Sequence, residues 1–198
     1  METIPLLTHV TGIMSNFGPT WALCGGWSVD AWLGRQTRDH GDVDLTVFHD
    51  DQHAVFDYFT TGWLLNGHDD HDPDGTAPWN GRRLGFPSHV HAYSDDGLHL
   101  DIQLNRRSGA DWVFSTKAGI ALPIAQCIVP SPWGVPTLAA EAVLFYKAIG
   151  EIRPHDETDF YALAPHLAGS ARVWLRDALS VLRPEHPWLP SLHDPSAP

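Results

Sequence analysis

The chain has 198 residues, 43% hydrophobic and 11% aromatic, enough apolar material for one well-buried core or one core with a small helical annex. Twelve Lys and Arg against 24 Asp and Glu give a formal charge of -12, a field that disfavours nucleic acid as a partner and attracts metal ions and cationic small molecules. No segment approaches the ~20 apolar residues of a membrane span, no basic leader precedes a long apolar run, and Cys24 and Cys127 read as buried free thiols, so a cytoplasmic, membrane-independent protein is expected.

Leu6, Val10, Ile13, Met14 and Phe17 recur at helical spacing and predict an amphipathic helix over 6–17, ended by Gly18-Pro19. A short strand over 21–24, the pair Gly25-Gly26, a helix from Trp27 to Leu33 stopped by Gly34, a strand over 43–48 and a helix from Asp51 to Thr61 come next. This is an α/β alternation. Trp63-Leu64-Leu65 suggest one more short strand. Residues 66–88, rich in Gly, Pro, Asp and His, read as a long mobile loop with a strand near Arg82 to Phe86. Within it His68-Asp69-Asp70-His71-Asp72-Pro73-Asp74 crowds metal-ligating side chains together, but a loop holds them on no rigid frame, so the run reads as a solvated acidic segment.

His89 to Tyr93 and Leu98 to Leu104 flank Ser94-Asp95-Asp96-Gly97, a hairpin signal with an Asp-Gly turn. Leu98, Leu100, Ile102 and Leu104 share one face of the second strand, and His99, Asp101 and Gln103 the other. A three-residue loop would set Asp101 opposite His91, and a two-residue loop would separate them; the sequence leaves the register open. After Pro130-Ser131-Pro132-Trp133-Gly134 the composition changes. Thr137 is placed to cap a helix over 138–149, helices over 157–163 and 172–182 come next, and the Pro-rich tail is expected to fray. The division expected is an α/β domain over 1–130 and a helical region over 131–198.

The chemistry concentrates in two places. Asp42 and Asp44 point to one side of their strand while Val43, Leu45 and Val47 point to the core, and the glycine pair just before a helix N-terminus lets a phosphate approach the backbone. Asp101 adds a third carboxylate from a later strand. Such a set suits two Mg²⁺ ions that neutralise a triphosphate and activate an acceptor hydroxyl, with Asp101 as metal ligand or general base. Asp30 reads as structural, pairing with Arg35 or Arg38. Arg38 and His40 directly precede the acids, where either phosphate contact or ion pairing with them is open. Lys147 lies in an apolar helix, where an amine is expected to reach an anion.

The run Gly25-Gly26-Trp27-Ser28-Val29-Asp30, Leu33-Gly34-Arg35-Gln36-Thr37-Arg38-Asp39-His40 and Asp42-Val43-Asp44 resembles, in order and spacing, the motifs of the polymerase-beta-type nucleotidyltransferase superfamily. Within that superfamily it is most similar to the nucleotidyltransferases that modify aminoglycoside and lincosamide antibiotics. Lys147 followed by Arg153-Pro154-His155-Asp156 and Asp159-Phe160 resembles the family's helix lysine and Arg-Pro-Lys-Asp-x-x-Asp-Phe run, with His155 standing where lysine is expected. The resemblance implies a mixed-sheet core followed by a helical region, and Mg²⁺-dependent transfer of a nucleoside monophosphate from an NTP, ATP first among them. The implied acceptor is a hydroxyl of a small, cationic molecule. It further implies that Gly25, Gly26, Arg38, His40 and Lys147 hold the nucleotide, and that Asp42, Asp44 and Asp101 hold metal and carry catalysis. A homodimer stays open. The alternatives are a toxin-type enzyme modifying tRNA or protein, against which the acidic charge argues, and a non-catalytic nucleotide-binding module, against which the three acids argue.

Overall fold

A computed structural model of the chain describes residues 4–115 and 118–193. Helix α1 (Pro5–Met14) buries Leu7, Val10 and Met14 as one stripe and stops short of Phe17, which is buried beyond the helix end and so had joined the periodic pattern. Strand β1 (Trp21–Leu23) runs directly into α2 (Gly25–Leu33). This helix begins at the glycine pair rather than at Trp27. It ends, as expected, at Gly34, whose φ of 66° closes the last turn. Strand β2 (Val43–Phe48), a 3-10 turn (His49–Asp51) and α3 (Gln52–Tyr58) complete the alternation. Asp51 sits at the N-cap of α3 without capping it, because its carboxylate accepts from Arg107 at 3.2 Å.

The sheet is mixed, as expected. Strands β3 (Trp63–His68), β4 (Ser88–Ser94) and β5 (His99–Ser108) form an antiparallel run on one side of β2, and a hairpin of β6 (Asp111–Ser115) and β7 (Ile120–Pro123) extends from β5. A single-turn helix α4 (Ile124–Cys127) leads to β8 (Ile128–Pro130) and β9 (Pro136–Leu138), giving the order β3-β4-β5-β2-β1-β9-β8. β2 and β5 are parallel, as are β1 and β9. The boundary expected near residue 130 falls at the end of β8, and β9 beyond it pairs with β1.

The β4–β5 hairpin has a three-residue loop: Ser94 donates its N–H to Leu98 at 2.9 Å, and Gly97 takes the positive φ of 90° that the turn requires. Asp101 therefore stands opposite His91. The segment 66–88 differs from its reading as a mobile loop. Its first residues continue β3 to His68, no strand forms over 82–86, and the rest is pinned by Asp69. That carboxylate is buried, receives both guanidinium nitrogens of Arg82 at 2.7 and 2.8 Å, and takes backbone N–H groups of His71, Asp72 and Gly85 at 2.9–3.2 Å. Composition marks such a segment as a loop but not which acid becomes its hub.

Beyond the sheet lie α5 (Ala140–Ile149), α6 (Pro154–Leu163), α7 (Gly169–Leu182) and the short α8 (Leu189–His193). Thr137 does not cap α5; it is buried in β9 opposite Leu23, and Ala139 takes the N-cap. Helix α6 starts three residues ahead of Glu157 because Asp156 accepts the N–H of Arg153 at 3.1 Å, a capping-box contact that fixes the first turn. Helix α7 likewise starts at Gly169 rather than Arg172. Nor does the tail fray where it is described. Trp188 is buried and stacks on Phe160 with ring centroids 4.3 Å apart, and Leu189 and Leu192 are buried with it; residues 194–198 lie outside the described residues.

Two apolar clusters result. Val43, Leu45, Val47, Val90, Leu100 and Ile102 put one sheet face against α1 and α3, while Leu144, Phe145, Phe160, Leu175, Leu179 and Trp188 join α5 to α8. Strand alternation then turns Asp44, Asp101 and His91 to the other face of the sheet. Both cysteines are free and buried, as read from the sequence. No helix among the described residues is long and apolar enough to cross a membrane.

Candidate active site

The site starts from two glycines, the first in a backbone conformation that strains any other residue and the second with no room for a side chain unless Arg38 and His40 move. Gly25 has a φ of 60°, and a Cβ on it would lie 1.9 Å from an oxygen of Asp44. A Cβ on Gly26 would lie 2.4 Å from His40 Nδ1 and 2.5 Å from a guanidinium nitrogen of Arg38. The missing side chains let Asp44, Arg38 and His40 close on the first turn of α2, whose Gly26 N–H donates to the Asp44 carboxylate. All five residues line one cavity of about 510 Å³.

Asp44 and Asp101 are directly opposite each other across the parallel β2–β5 ladder, and Asp42 lines the cavity beside them. Burial, and then repulsion from Asp42, raise the Asp44 pKa. Asp101 is pushed up to about 7 by burial and by both neighbouring carboxylates, against which a hydrogen bond from Gln103 is the weaker influence. Its Oδ1 is buried and has no hydrogen-bond partner among the described residues. Three mutually repelling carboxylates with an orphaned oxygen are an unfavourable arrangement alone. They fit a hard divalent cation, for which oxygen ligands and an excess of negative charge are the requirement.

The opposite wall is cationic and comes from the helices. Lys147 on α5 is buried, with Nζ 2.7 Å from Asp159 and 3.1 Å from Asp156, both on α6. Arg153 binds Asp156 at 2.9 Å, His155 lies 3.6 Å from it, and Arg38 reaches Asp159 at 3.8 Å. The anions expected for Lys147 are thus, in this structure, two carboxylates of its own chain. Lys147, Arg38, Arg153 and His155 still line the cavity.

Asp30 is structural, but with other partners than Arg35 or Arg38. It is fully buried, accepts the Thr37 N–H at 3.0 Å together with the Thr37 hydroxyl, and meets His40 Nε2 at 2.6 Å. This bond, with Trp27 against the ring at 4.4 Å, leaves only the Nδ1 side of His40 toward the glycines. The cavity floor holds residues the motifs did not single out. Trp112 Nε1 donates to the Tyr146 hydroxyl at 2.8 Å, Tyr146 donates to Asn105 Oδ1 at 2.7 Å, and Asn105 donates to Thr46 at 2.7 Å. Counting by twos from Asp101 reaches Gln103 and Asn105; nothing in a helix reading points to Tyr146.

Past Asp101 the same face becomes a histidine surface. His91 Nε2 lies 3.7 Å from Asp101 Oδ2, and the rings of His68, His89 and His99 lie within 4.3 to 5.0 Å of that of His91. Burial, with His68 and His91 nearby, holds the His89 pKa down at about 4.

A mixed sheet presenting Asp-x-Asp and a partner Asp beneath a glycine turn defines a nucleotidyltransferase. The aminoglycoside-2''-adenylyltransferase family model matches residues 6–163, and the chain belongs to that family. Among solved structures it shares its fold with the lincosamide antibiotic adenylyltransferase LnuA in its lincomycin-bound form, at 19% identity, with 82% of this chain and 97% of that one covered and a TM-score of 0.58. The aminoglycoside enzyme ANT(2'')-Ia in complex with adenylyl-2''-tobramycin is similar at 19% identity, 88% and 95% coverage and a TM-score of 0.58. Its solution structure, also 19% identical, covers 88% and 89% with a TM-score of 0.59. No curated protein sequence matches significantly.

Proposed function

We propose that the protein transfers the adenylyl group of ATP, with Mg²⁺, to a hydroxyl of a small cationic antibiotic of the aminoglycoside or lincosamide type. The observation that carries this reading is the Asp44–Asp101 pair across β2 and β5, with Asp42 beside it, facing a cationic helical wall across one cavity. Asp42, Asp44 and Asp101 would hold the metal, two ions in the fullest form of the site. Bound there, Mg²⁺ supplies charge neutralisation of the triphosphate and a lowered pKa of the acceptor hydroxyl.

The chain's own groups do the rest. Gly25 and Gly26 open the backbone of the first turn of α2 to the phosphates, and Lys147, Arg38 and Arg153 set positive charge against the leaving pyrophosphate. Lys147 is pre-organised for this by Asp156 and Asp159, which hold its ammonium at the cavity wall. His40 is fixed by Asp30 and packs against the glycine turn. The acceptor oxygen attacks the α-phosphorus, the bond to the bridging oxygen breaks, and pyrophosphate departs. Asp101, opposite Asp44 across the β2–β5 ladder, accepts the hydroxyl proton. The neighbours' own ligands, lincomycin and an adenylyl-tobramycin, support the acceptor class, as does the charge of -12. The reading keeps the α/β part and the helical part as two functional units that meet at the cavity.

The test is direct. Purified protein is incubated with Mg²⁺, ATP and a panel of aminoglycosides and lincosamides, and products are weighed by mass spectrometry. An acceptor heavier by one adenylyl group, with pyrophosphate released in equal amount, is expected; unmodified acceptors across the panel would overturn the assignment.

A further inference from the structure

The histidines beyond Asp101 are not consumed by the nucleotidyl-transfer reading, and three of them are arranged as ligands. His68, on β3, pairs in register with His89 on β4, and His91 comes two residues later on the same face. One nitrogen from each ring lies within 4.8 Å of the other two. All three side chains are partly buried, with the Nε2 of His68 itself covered, so an ion would enter as the rings shift. The acidic run from His68 to Asp74 reads as frameless in the sequence, whereas the frame is present: His68 is the last residue of a sheet strand, and Asp69 anchors the residues after it.

The outer contacts prepare the rings for a metal. His68 Nδ1 lies 3.1 Å from the Pro73 carbonyl oxygen, which can only accept, so Nδ1 carries the proton and Nε2 keeps its lone pair. That Nε2 is buried without a hydrogen-bond partner among the described residues. His91 Nδ1 meets the Tyr93 hydroxyl at 3.2 Å, which leaves Nε2 toward Asp101. A metal-bound imidazole has this pattern, with its distal nitrogen fixed by a carbonyl or hydroxyl. Gly75, at a φ of 57°, packs against the His68 ring where any Cβ would come within 2.3 Å of Nε2.

We propose that His68, His89 and His91 form a binding site for a borderline divalent transition metal of the Zn²⁺ type, distinct in its ligands from the carboxylate site and adjoining it at Asp101. Imidazole nitrogen favours such ions over Mg²⁺, whose preferred ligands are oxygen. Tetrahedral Zn–N bonds of about 2.05 Å require nitrogens roughly 3.3 Å apart, so binding would turn the His68 and His89 rings out of the stack they form here, 4.4 Å between centroids and 10° between planes. Three imidazoles leave a fourth position open to water or to an acceptor heteroatom. The site stands on its own geometry and does not depend on the identity of the antibiotic acceptor.

The experiment titrates tag-free protein with Co²⁺ alone in the presence of saturating Mg²⁺ and tracks the visible d–d absorption. The expected result is one ion per chain with the intensity of a four-coordinate nitrogen site, displaced by Zn²⁺ and unchanged in Asp44→Asn. His68→Gln and His89→Gln, made separately and checked for native circular dichroism, should each weaken binding at least tenfold. Absence of a Co²⁺ spectrum in wild-type protein would overturn the proposal. So would a spectrum that persists in both folded histidine variants, or one that disappears in Asp44→Asn.

Discussion

Around Asp44 the acids and glycines come from one short stretch of chain, residues 25 to 44, with Asp101 added by a parallel strand and Lys147, Arg153 and His155 by the later helices; around His91 the side chains come from three strands, from His68 to Asp101. The first neighbourhood is charged and strained by its own acids, with carboxyl pKa values raised by burial and mutual repulsion. The second is aromatic, built of stacked imidazoles and Tyr93. The carboxylate side is therefore set largely by a local motif whose cost a cation would offset, and the histidine side by long-range strand register.

Substitutions should separate the two sides, in decreasing size of effect. Asp44→Asn should bring adenylyl transfer to background with the fold retained, measured by pyrophosphate release and circular dichroism. Asp101→Asn should lower kcat by about 10²–10⁴-fold, the range of a lost general base, with a smaller change in the KM for ATP. Lys147→Met leaves Asp156 and Asp159 buried with only Arg38 and Arg153 to offset them, and should cost about 3–5 kcal/mol by denaturant melts.

The pH dependence carries a sign that metal should reverse. The folded-state pKa of Asp101 lies near 7, above the ordinary carboxylate value, so its contribution to stability is present at low pH and is lost as pH rises toward 7. Metal-free protein should melt at lower temperature at pH 8 than at pH 5, Asp101→Asn should flatten that slope, and Mg²⁺ should restore the stability at pH 8. In the same cavity, Tyr146→Phe removes two hydrogen bonds, the one from Trp112 and the one to Asn105, and should cost about 1–3 kcal/mol, the smallest of these effects.

Much of the carboxylate side was legible because its signals are local. Gly-Gly, Asp-x-Asp and strand alternation name Gly25, Gly26, Asp42, Asp44 and Asp101, and an amine in an apolar helix singles out Lys147. The glycine pair, read as a turn open to phosphate, is also what admits Asp44 and Arg38 to the helix start. What stayed hidden depends on distance in the chain. The choice of His40 over Arg38 as partner of Asp30 is made by the fold between them. Arg82 closes on Asp69 across a loop whose composition looks mobile. Pro-rich composition masked the docking of Trp188 on Phe160, which only the packed helices supply.

The measurement closest to the central claim is a calorimetric titration of ATP into the wild-type protein, with and without Mg²⁺, repeated on Asp44→Asn and on His89→Gln. The account predicts binding that requires Mg²⁺, disappears in Asp44→Asn and is unchanged in His89→Gln. Binding that is indifferent to Mg²⁺ and to Asp44, or that is lost with His89, would contradict it.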